Sequence, residues 1–153
     1  HPSIAPFEAF KTKDSYIIIA AGNDKLFTKL CDVLKIPETA NDERFNSNSL
    51  RCENMDHLKE IFEKQLSSKS TDEWVKEMEE LKIPCGPIFN IKQAVENPQI
   101  QERNMIVKSY HKIIGEFKSA GNPIKMSTYK DENTRGDIPD LDEHREKIIK
   151  EFS

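Results

Sequence analysis

The chain has 153 residues, 36% of them hydrophobic and 33% charged, with a formal net charge of −4. That length fits one domain, or one domain plus a segment that belongs to another, and a domain of this size buries roughly 70% of its unfolded surface. The acidic balance argues against a nucleic-acid binder, no apolar run approaches the ~18 residues of a membrane helix, and Cys31, Cys52 and Cys85, scattered and never at Cys-x-x-Cys spacing, indicate neither a zinc site nor a disulfide framework.

Reduced thiols fit a cytoplasmic protein, and no signal peptide is visible. The first residue is His1 rather than Met, so His1 is expected not to be a natural start.

In chain order, residues 7–21 predict a β-hairpin. Phe7, Ala9 and Phe10 lead into a Lys13-Asp14-Ser15 turn, and residues 16–21 form a β-branched run short enough for a strand. Gly22-Asn23-Asp24 ends that strand, and Asn23 or Asp24 caps a helix whose Leu26, Phe27, Leu30, Cys31 and Leu34 make one apolar stripe stopped by Pro37. Residues 38–53 are polar and predict an ordered loop with a short helical turn. Leu58, Ile61, Phe62 and Leu66 share one face of the next helix, with Asn54 as its cap.

Ser70 and Glu73 form a capping box that opens a helix with Trp74, Val75, Met78 and Leu81 inward. At helical spacing, Trp74 and Met78 read as core rather than as a ligand pocket. Pro84 and Pro87 bracket a rigid turn. Residues 91–96 predict a short helix stopped before Pro98, and a further turn covers 99–103. Residues 105–107 are a strand that 110–114 extend, Gly115 turns the chain, and 123–126 read as another strand. Residues 128–140 read as a linker, and 142–152 as a closing helix with Ile148, Ile149 and Phe152 on its inward side.

No self-contained catalytic set is visible. The five glycines do not cluster into a phosphate loop, and neither His-Glu-x-x-His nor Gly-x-Ser-x-Gly occurs. His1, His57, His111 and His144 stand singly, without partners at ligand spacing, so no metal is expected. Cys85 has no evident base to lower its pKa and reads as structural rather than nucleophilic. Lys108, His111, Lys112 and Lys118 are the nearest thing to a basic patch and read first as a solvated strand pair.

Several stretches form an ordered series. His1-Pro2-Ser3-Ile4-Ala5-Pro6-Phe7-Glu8-Ala9-Phe10 and Asp14 precede Ala21-Gly22-Asn23-Asp24 and Asp42-x-Arg44-Phe45-x-x-Asn48-x-x-Arg51-x-x-Asn54. Pro84-Cys85-Gly86-Pro87-Ile88, Gly121-Asn122-Pro123-Ile124-Lys125-Met126-Ser127 and Glu143-His144 follow. The series resembles the later part of a class III CoA-transferase of the CaiB/BaiF type, a family that includes formyl-CoA transferases. Ser15 departs from the family's usual Gly, which would cost ~1 kcal/mol if the turn needed positive φ. Asp142 and Arg145 stand where Gly and Thr are common in that family.

The resemblance implies an α+β fold: the small domain of such an enzyme, with a β-hairpin, an antiparallel sheet and several helices, lacking the Rossmann-like half. Residues 1–115 would be the small domain, and 116–153 a linker and closing segment that returns to the large domain. The implied chemistry is attack of an aspartate on an acyl-CoA thioester, with the acyl group passing through anhydride and thioester intermediates to a carboxylate acceptor. That aspartate lies upstream in the family, so no catalytic residue is assigned here, and coenzyme A is implied as a substrate rather than a tightly bound cofactor.

His1, Pro2, Ser3, Ile4 and Ala5 would be the one edge of the substrate site retained, expected to be disordered with nothing upstream to hold it. CoA binding is expected to be weak or absent, with Lys108, Lys112 and Lys118 the first candidates for its phosphates. The implied partners are the missing Rossmann-like half or a second chain, as in the family's interlocked homodimer, with neither nucleic acid nor membrane. The expected function is that of a CoA-transferase fragment inactive alone. A non-catalytic folded remnant or association domain is the alternative, and part of an acyl-CoA racemase of the same fold is the third.

Overall fold

In the computed structural model, which describes residues 1–153, the predicted hairpin is formed by β1 (Phe7–Lys11) and β2 (Tyr16–Ala20), antiparallel from Phe7↔Ala20 to Lys11↔Tyr16. Its turn is fastened by Asp14, whose carboxylate accepts from the Thr71 amide at 2.9 Å and the Thr71 hydroxyl at 3.0 Å. Ser15 is not among the residues with positive φ, so the departure from glycine strains nothing.

Alternation along the hairpin turns Phe10, Ile17 and Ile19 onto one buried face. Three helices cover it: α1 (Asp24–Val33) with Phe27, Leu30 and Cys31, α3 (Met55–Leu66) with Leu58, Phe62 and Leu66, and α4 (Thr71–Glu80) with Trp74 and Met78. Each buried Leu or Phe is worth roughly 1.5–3 kcal/mol. The periodicity identified this core. Leu81 is an exception at 46% exposed, because it is the C-cap residue, past the helical repeat.

The ends of α1 and α4 are built alike. Ile36 N–H donates to Cys31 C=O (2.9 Å) and Lys35 N–H to Asp32 C=O (3.0 Å), while Ile83 N–H donates to Met78 C=O and Lys82 N–H to Glu79 C=O, both at 2.9 Å. These are Schellman endings, and they stop α1 before Pro37, the residue expected to stop it. The left-handed position, where glycine is favoured, is taken by Lys35 (φ 59) and Lys82 (φ 58). Lys82→Gly should therefore raise unfolding stability by about 0.5–1 kcal/mol, the relief of a Cβ in that region less the entropy of a freer unfolded chain. Urea titration of both proteins checks this, and a less stable variant contradicts it.

The polar stretch 38–53 contains a 3-10 turn (Pro37–Asn41) and α2 (Asn48–Glu53), capped by Ser47. Asn54 occupies the N-cap position of α3, but its side chain makes no cap there. It donates to Leu50 C=O (2.9 Å) and Arg44 C=O (3.3 Å) and so closes the end of α2 instead. The Ser70/Glu73 capping box of α4 is present.

The expected Pro84–Pro87 turn is a strand: β3 (Cys85–Pro87) pairs antiparallel with β2, Ile19 opposite Cys85 and Ile17 opposite Pro87. A proline's fixed φ suits extended backbone, and an outermost strand does not need its missing N–H. The sheet order is β1-β2-β3.

Three carboxyls of this region lie below their ordinary values. Asp14 is lowered chiefly by the Thr71 amide, Glu73 by the Ser70 hydroxyl, and Asp42 is held at about 2 by the Arg44 guanidinium and amide. Folding depresses these pKa values, so the stability they confer is fully present above their ordinary 3.8 and 4.5 and is lost as pH falls through the folded values. The melting temperature should begin to drop below about pH 4.5 and keep dropping towards pH 2, and Asp14→Asn should flatten that slope. Melts followed by circular dichroism give both curves; parallel slopes would refute the assignment to Asp14.

The chain forms two compact units, His1–Ile88 and Phe89–Ser153. The second opens with α5 (Ile91–Glu96) and α6 (Pro98–Glu102), the latter a helix where a turn was expected. Its sheet has the order β5-β4-β6: β4 (Ile106–His111) pairs antiparallel with β5 (Gly115–Ala120) and parallel with β6 (Thr134–Asp137). Gly115 turns the chain at φ 78, and it is the first residue of β5.

The expected strand at 123–126 does not form. Asn122 takes the Ile124 amide into a local turn (3.0 Å) ahead of exposed Ile124 and Met126. The expected linker 128–140 instead supplies β6. The closing helix is α7 (Arg145–Phe152), and its Ile148, Ile149 and Phe152 are 53%, 57% and 82% exposed. The whole is α+β, with one antiparallel and one mixed sheet. No helix is long and apolar enough to cross a membrane.

Candidate functional site

Residues 1–5, the sequence-based candidate, are not the free end expected of them, because later residues hold them in place. Ala5 N–H donates to Asn48 Oδ1 (3.0 Å), and Asn48 Nδ2 donates to Ser3 C=O (2.8 Å). Ala5 C=O accepts from Arg51 Nε (2.8 Å). Asn48 and Arg51 are three residues apart on α2, so both side chains leave the same face of the helix.

The other sides of the loop are also fixed. The His1 ring stacks on Phe7 with centroids 5.5 Å apart. A Cβ on Gly22 would stand 2.0 Å from Ile4 Cγ2, so only a glycine lets Ile4 sit this close to the backbone. Residues 1–4 are exposed while Ala5 is buried, an accessible surface on a buried root.

At that root lies Arg51, whose exposure is 0%. Its guanidinium donates to Ala5 C=O, to Phe45 C=O (3.0 Å), to Gly22 C=O (3.1 Å) and to Asp24 Oδ1 (2.8 Å), and it stacks 4.5 Å from the centroid of the Phe27 ring. A rigid planar fork of five N–H donors suits four acceptors arriving from different segments, which a lysine ammonium could not serve. The carboxylate of the pair is 76% exposed, so the buried charge is balanced by carbonyl dipoles within and one carboxylate at the rim. In the sequence Arg51 is one position of the Asp42–Asn54 run, with no motif to mark it as a hub. The available signal was an Arg one turn after an Asn in a polar stretch otherwise too short to fold by itself.

The hollow beside the loop, lined by His1, Ile4, Ala5 and Met55 among others, measures about 60 Å³. Ligand pockets run to several hundred Å³, so this hollow is a rim rather than a container. A larger cavity of about 520 Å³ lies within the second unit. Its Lys125 and Arg135 both bond Asp131, whose carboxyl they hold at about 2, so their charge is already engaged.

The remaining sequence candidates are the basic residues of the second unit and two cysteines of the first. Lys108 bonds Glu116 (3.1 Å), Lys112 pairs with Asp140, and His111 lies 3.8 Å from the same carboxylate, so these three are compensated where they stand, whereas Lys118 makes no ion pair. Asp140 in turn raises the pKa of Lys112. Burial pushes the Cys31 thiol up to about 12 and that of Cys85 upward, the latter helped by Glu79, which disfavours the thiolate a nucleophile needs.

A family model described as CoA-transferase family III matches residues 1–145. The chain belongs to that family. Among CoA-transferases of family III, it is 40% identical over 153 residues to the acetyl-CoA:oxalate CoA-transferase of Acetobacter aceti, covering all of this chain and 38% of that protein. It is 32% identical to the human succinyl-CoA:glutarate CoA-transferase, over 99% of this chain and 34% of the relative. A CAIB/BAIF family protein from Brucella suis, known from its crystal structure, superposes with a TM-score of 0.79 and 32% identity, covering 100% of this chain and 39% of that one. The chain thus spans little more than a third of the length of the CoA-transferases it matches.

Proposed function

We propose that this chain is part of a CoA-transferase that moves CoA between an acyl-CoA thioester and a small dicarboxylic acid, and that residues 1–5 form one edge of its substrate site. The observation carrying this reading is the loop's build: exposed at residues 1–4, fixed below by Asn48 and Arg51. A binding surface needs that combination of access and preorganisation. The substrate class rests on the relatives, whose names join acetyl-CoA to oxalate and succinyl-CoA to glutarate.

In this reading, residues 1–115 belong to the small domain and 116–153 return to a Rossmann-like half. That half carries the nucleophilic aspartate and most of the CoA surface. Coenzyme A is a substrate, the assembly is an interlocked homodimer, and the compartment is the cytoplasm. The chain alone transfers nothing. A second reading, a folded association domain without activity, is favoured by the self-contained core of His1–Ile88 and the exposed apolar side of α7.

The test supplies acetyl-CoA or succinyl-CoA with oxalate or glutarate, to the chain alone and to the chain co-expressed with the unmatched remainder of the Acetobacter aceti relative. New CoA esters are read by mass spectrometry. Turnover only in the combination is expected. Co-purification without turnover supports the second reading. Turnover by the chain alone, abolished by a substitution within 1–153, overturns the proposed division of labour.

A further inference from the structure

We propose that Asn48 is a positioning residue for the transfer reaction, setting the placement of residues 3–5 through two hydrogen bonds. This rests on the reading above, in which that loop borders the substrate.

The Asn48 amide bonds an N–H and a C=O two residues apart on the same backbone, Ala5 and Ser3, as a neighbouring strand would. Its orientation is fixed by chemistry: turned over, the amide would set Nδ2 against the Ala5 N–H and Oδ1 against the Ser3 carbonyl. With Arg51 on Ala5 C=O, both backbone groups of Ala5 end on one face of α2.

The two side chains differ in what else they hold. Arg51 also binds Phe45, Gly22 and Asp24, so removing it disturbs much of the unit. Both Asn48 side-chain bonds go to the loop. Asn48 is therefore the position at which the loop can be released while the core stays intact. Misplacing a substrate-facing group by about 1 Å can lower a rate on the order of 10²-fold. Because a misplaced rim alters geometry more than it removes contacts, the loss falls on kcat rather than KM.

The test uses Asn48→Leu, similar in size with neither hydrogen bond, and Asn48→Asp, which keeps an acceptor for Ala5 and loses the donor to Ser3. In the ¹⁵N-labelled chain, exchange of the Ala5 amide should quicken at least tenfold in Asn48→Leu and less in Asn48→Asp, with β1 and β2 amides still protected. In the combination with the Acetobacter aceti remainder, kcat should fall roughly ten- to a hundredfold in both variants, with KM for the acyl-CoA within about threefold. Ser49→Ala, whose hydroxyl reaches only Glu53, should change neither. Unchanged Ala5 exchange in Asn48→Leu, or a loss confined to KM, overturns the positioning role. If Asn48→Leu loses the protection of β1 and β2, the kcat of Asn48→Asp decides the matter. A wild-type combination without transfer overturns instead the reading on which the role rests.

Discussion

Arg51→Ala will destabilise the unit His1–Ile88 by about 3–5 kcal/mol, from several backbone acceptors left without a donor and a large buried side chain removed. The substitution strips the donor from the carbonyls of Ala5, Phe45 and Gly22, and a buried acceptor left without a partner costs about 1–3 kcal/mol. It also leaves a void against the Phe27 ring, which the guanidinium now covers. Asp24 loses least, since its carboxylate is largely in water. Two further variants apportion the effect. Arg51→Lys keeps the charge but not the fork, and should recover only part of the loss. Arg51→Met keeps the stem's volume and removes the charge; if it equals Arg51→Ala, the carbonyls dominate and packing does not. Urea unfolding monitored through Trp74 gives all three values, and a loss below about 1 kcal/mol for Arg51→Ala would refute the hub.

Gly121→Ala should cost about 2–3 kcal/mol, the upper part of the range for overpacking. The added Cβ would meet Asn104 O at 2.2 Å and Met105 Cα at 3.1 Å, both backbone atoms with no rotamer to change. Neither side can yield easily. Gly121 N–H donates to Met105 C=O at 2.8 Å, and Asn104 is itself in the left-handed position (φ 49) of the Schellman ending of α6. The Asn104 amide also holds the carbonyls of Asp131 and Glu132, at 3.1 and 3.0 Å, next to β6. Hydrogen exchange should report the loss as faster opening of the β4 and β5 amides. Unchanged protection there would show that the backbone absorbs the methyl group without consequence.

What could be read in the sequence is whatever a local pattern dictates. The stripes Phe27/Leu30/Cys31, Leu58/Phe62/Leu66 and Trp74/Met78 and the Ser70 cap follow from 3.6-residue periodicity and the chemistry of a helix start, and all are as expected. The strands β3 and β6 have no local pattern of their own, and their pairing is supplied from elsewhere in the chain. Thr134-Arg135-Gly136-Asp137 has no apolar alternation, and only β4, far back in the chain, makes it β6. Gly115–Ala120 alternates in burial around Phe117, and the solvated strand pair read around Lys108 and Lys118 is β4 and β5, in which those two residues stand opposite each other. Residues 123–126 erred the other way: an apolar composition without a partner strand gave a turn.

Arg51 illustrates the same limit at the site. An arginine in a polar stretch ordinarily lies in water. Its burial depends on carbonyls from residues 5, 22 and 45 converging on it, which no window of sequence contains. Family resemblance could point to residues 1–5 and could not say what would hold them.

The β1-β2-β3 sheet has one further property. On one side it ends in a strand of three residues with Pro84 before it and Pro87 as its last, and a proline has no N–H to offer an incoming chain. On the other, the Lys11 amide is already bonded to Glu63 Oε1 (2.8 Å), and Glu8 is bound by Lys59 (2.7 Å). Both margins at which sheets recruit strands from other molecules, the usual route to domain-swapped or fibrous assemblies, are therefore shortened, by the prolines at β3 and by the engaged Lys11 amide and flanking charges at β1. Crowded copies of this unit can associate through apolar side chains without their sheets joining into one continuous hydrogen-bonded ribbon.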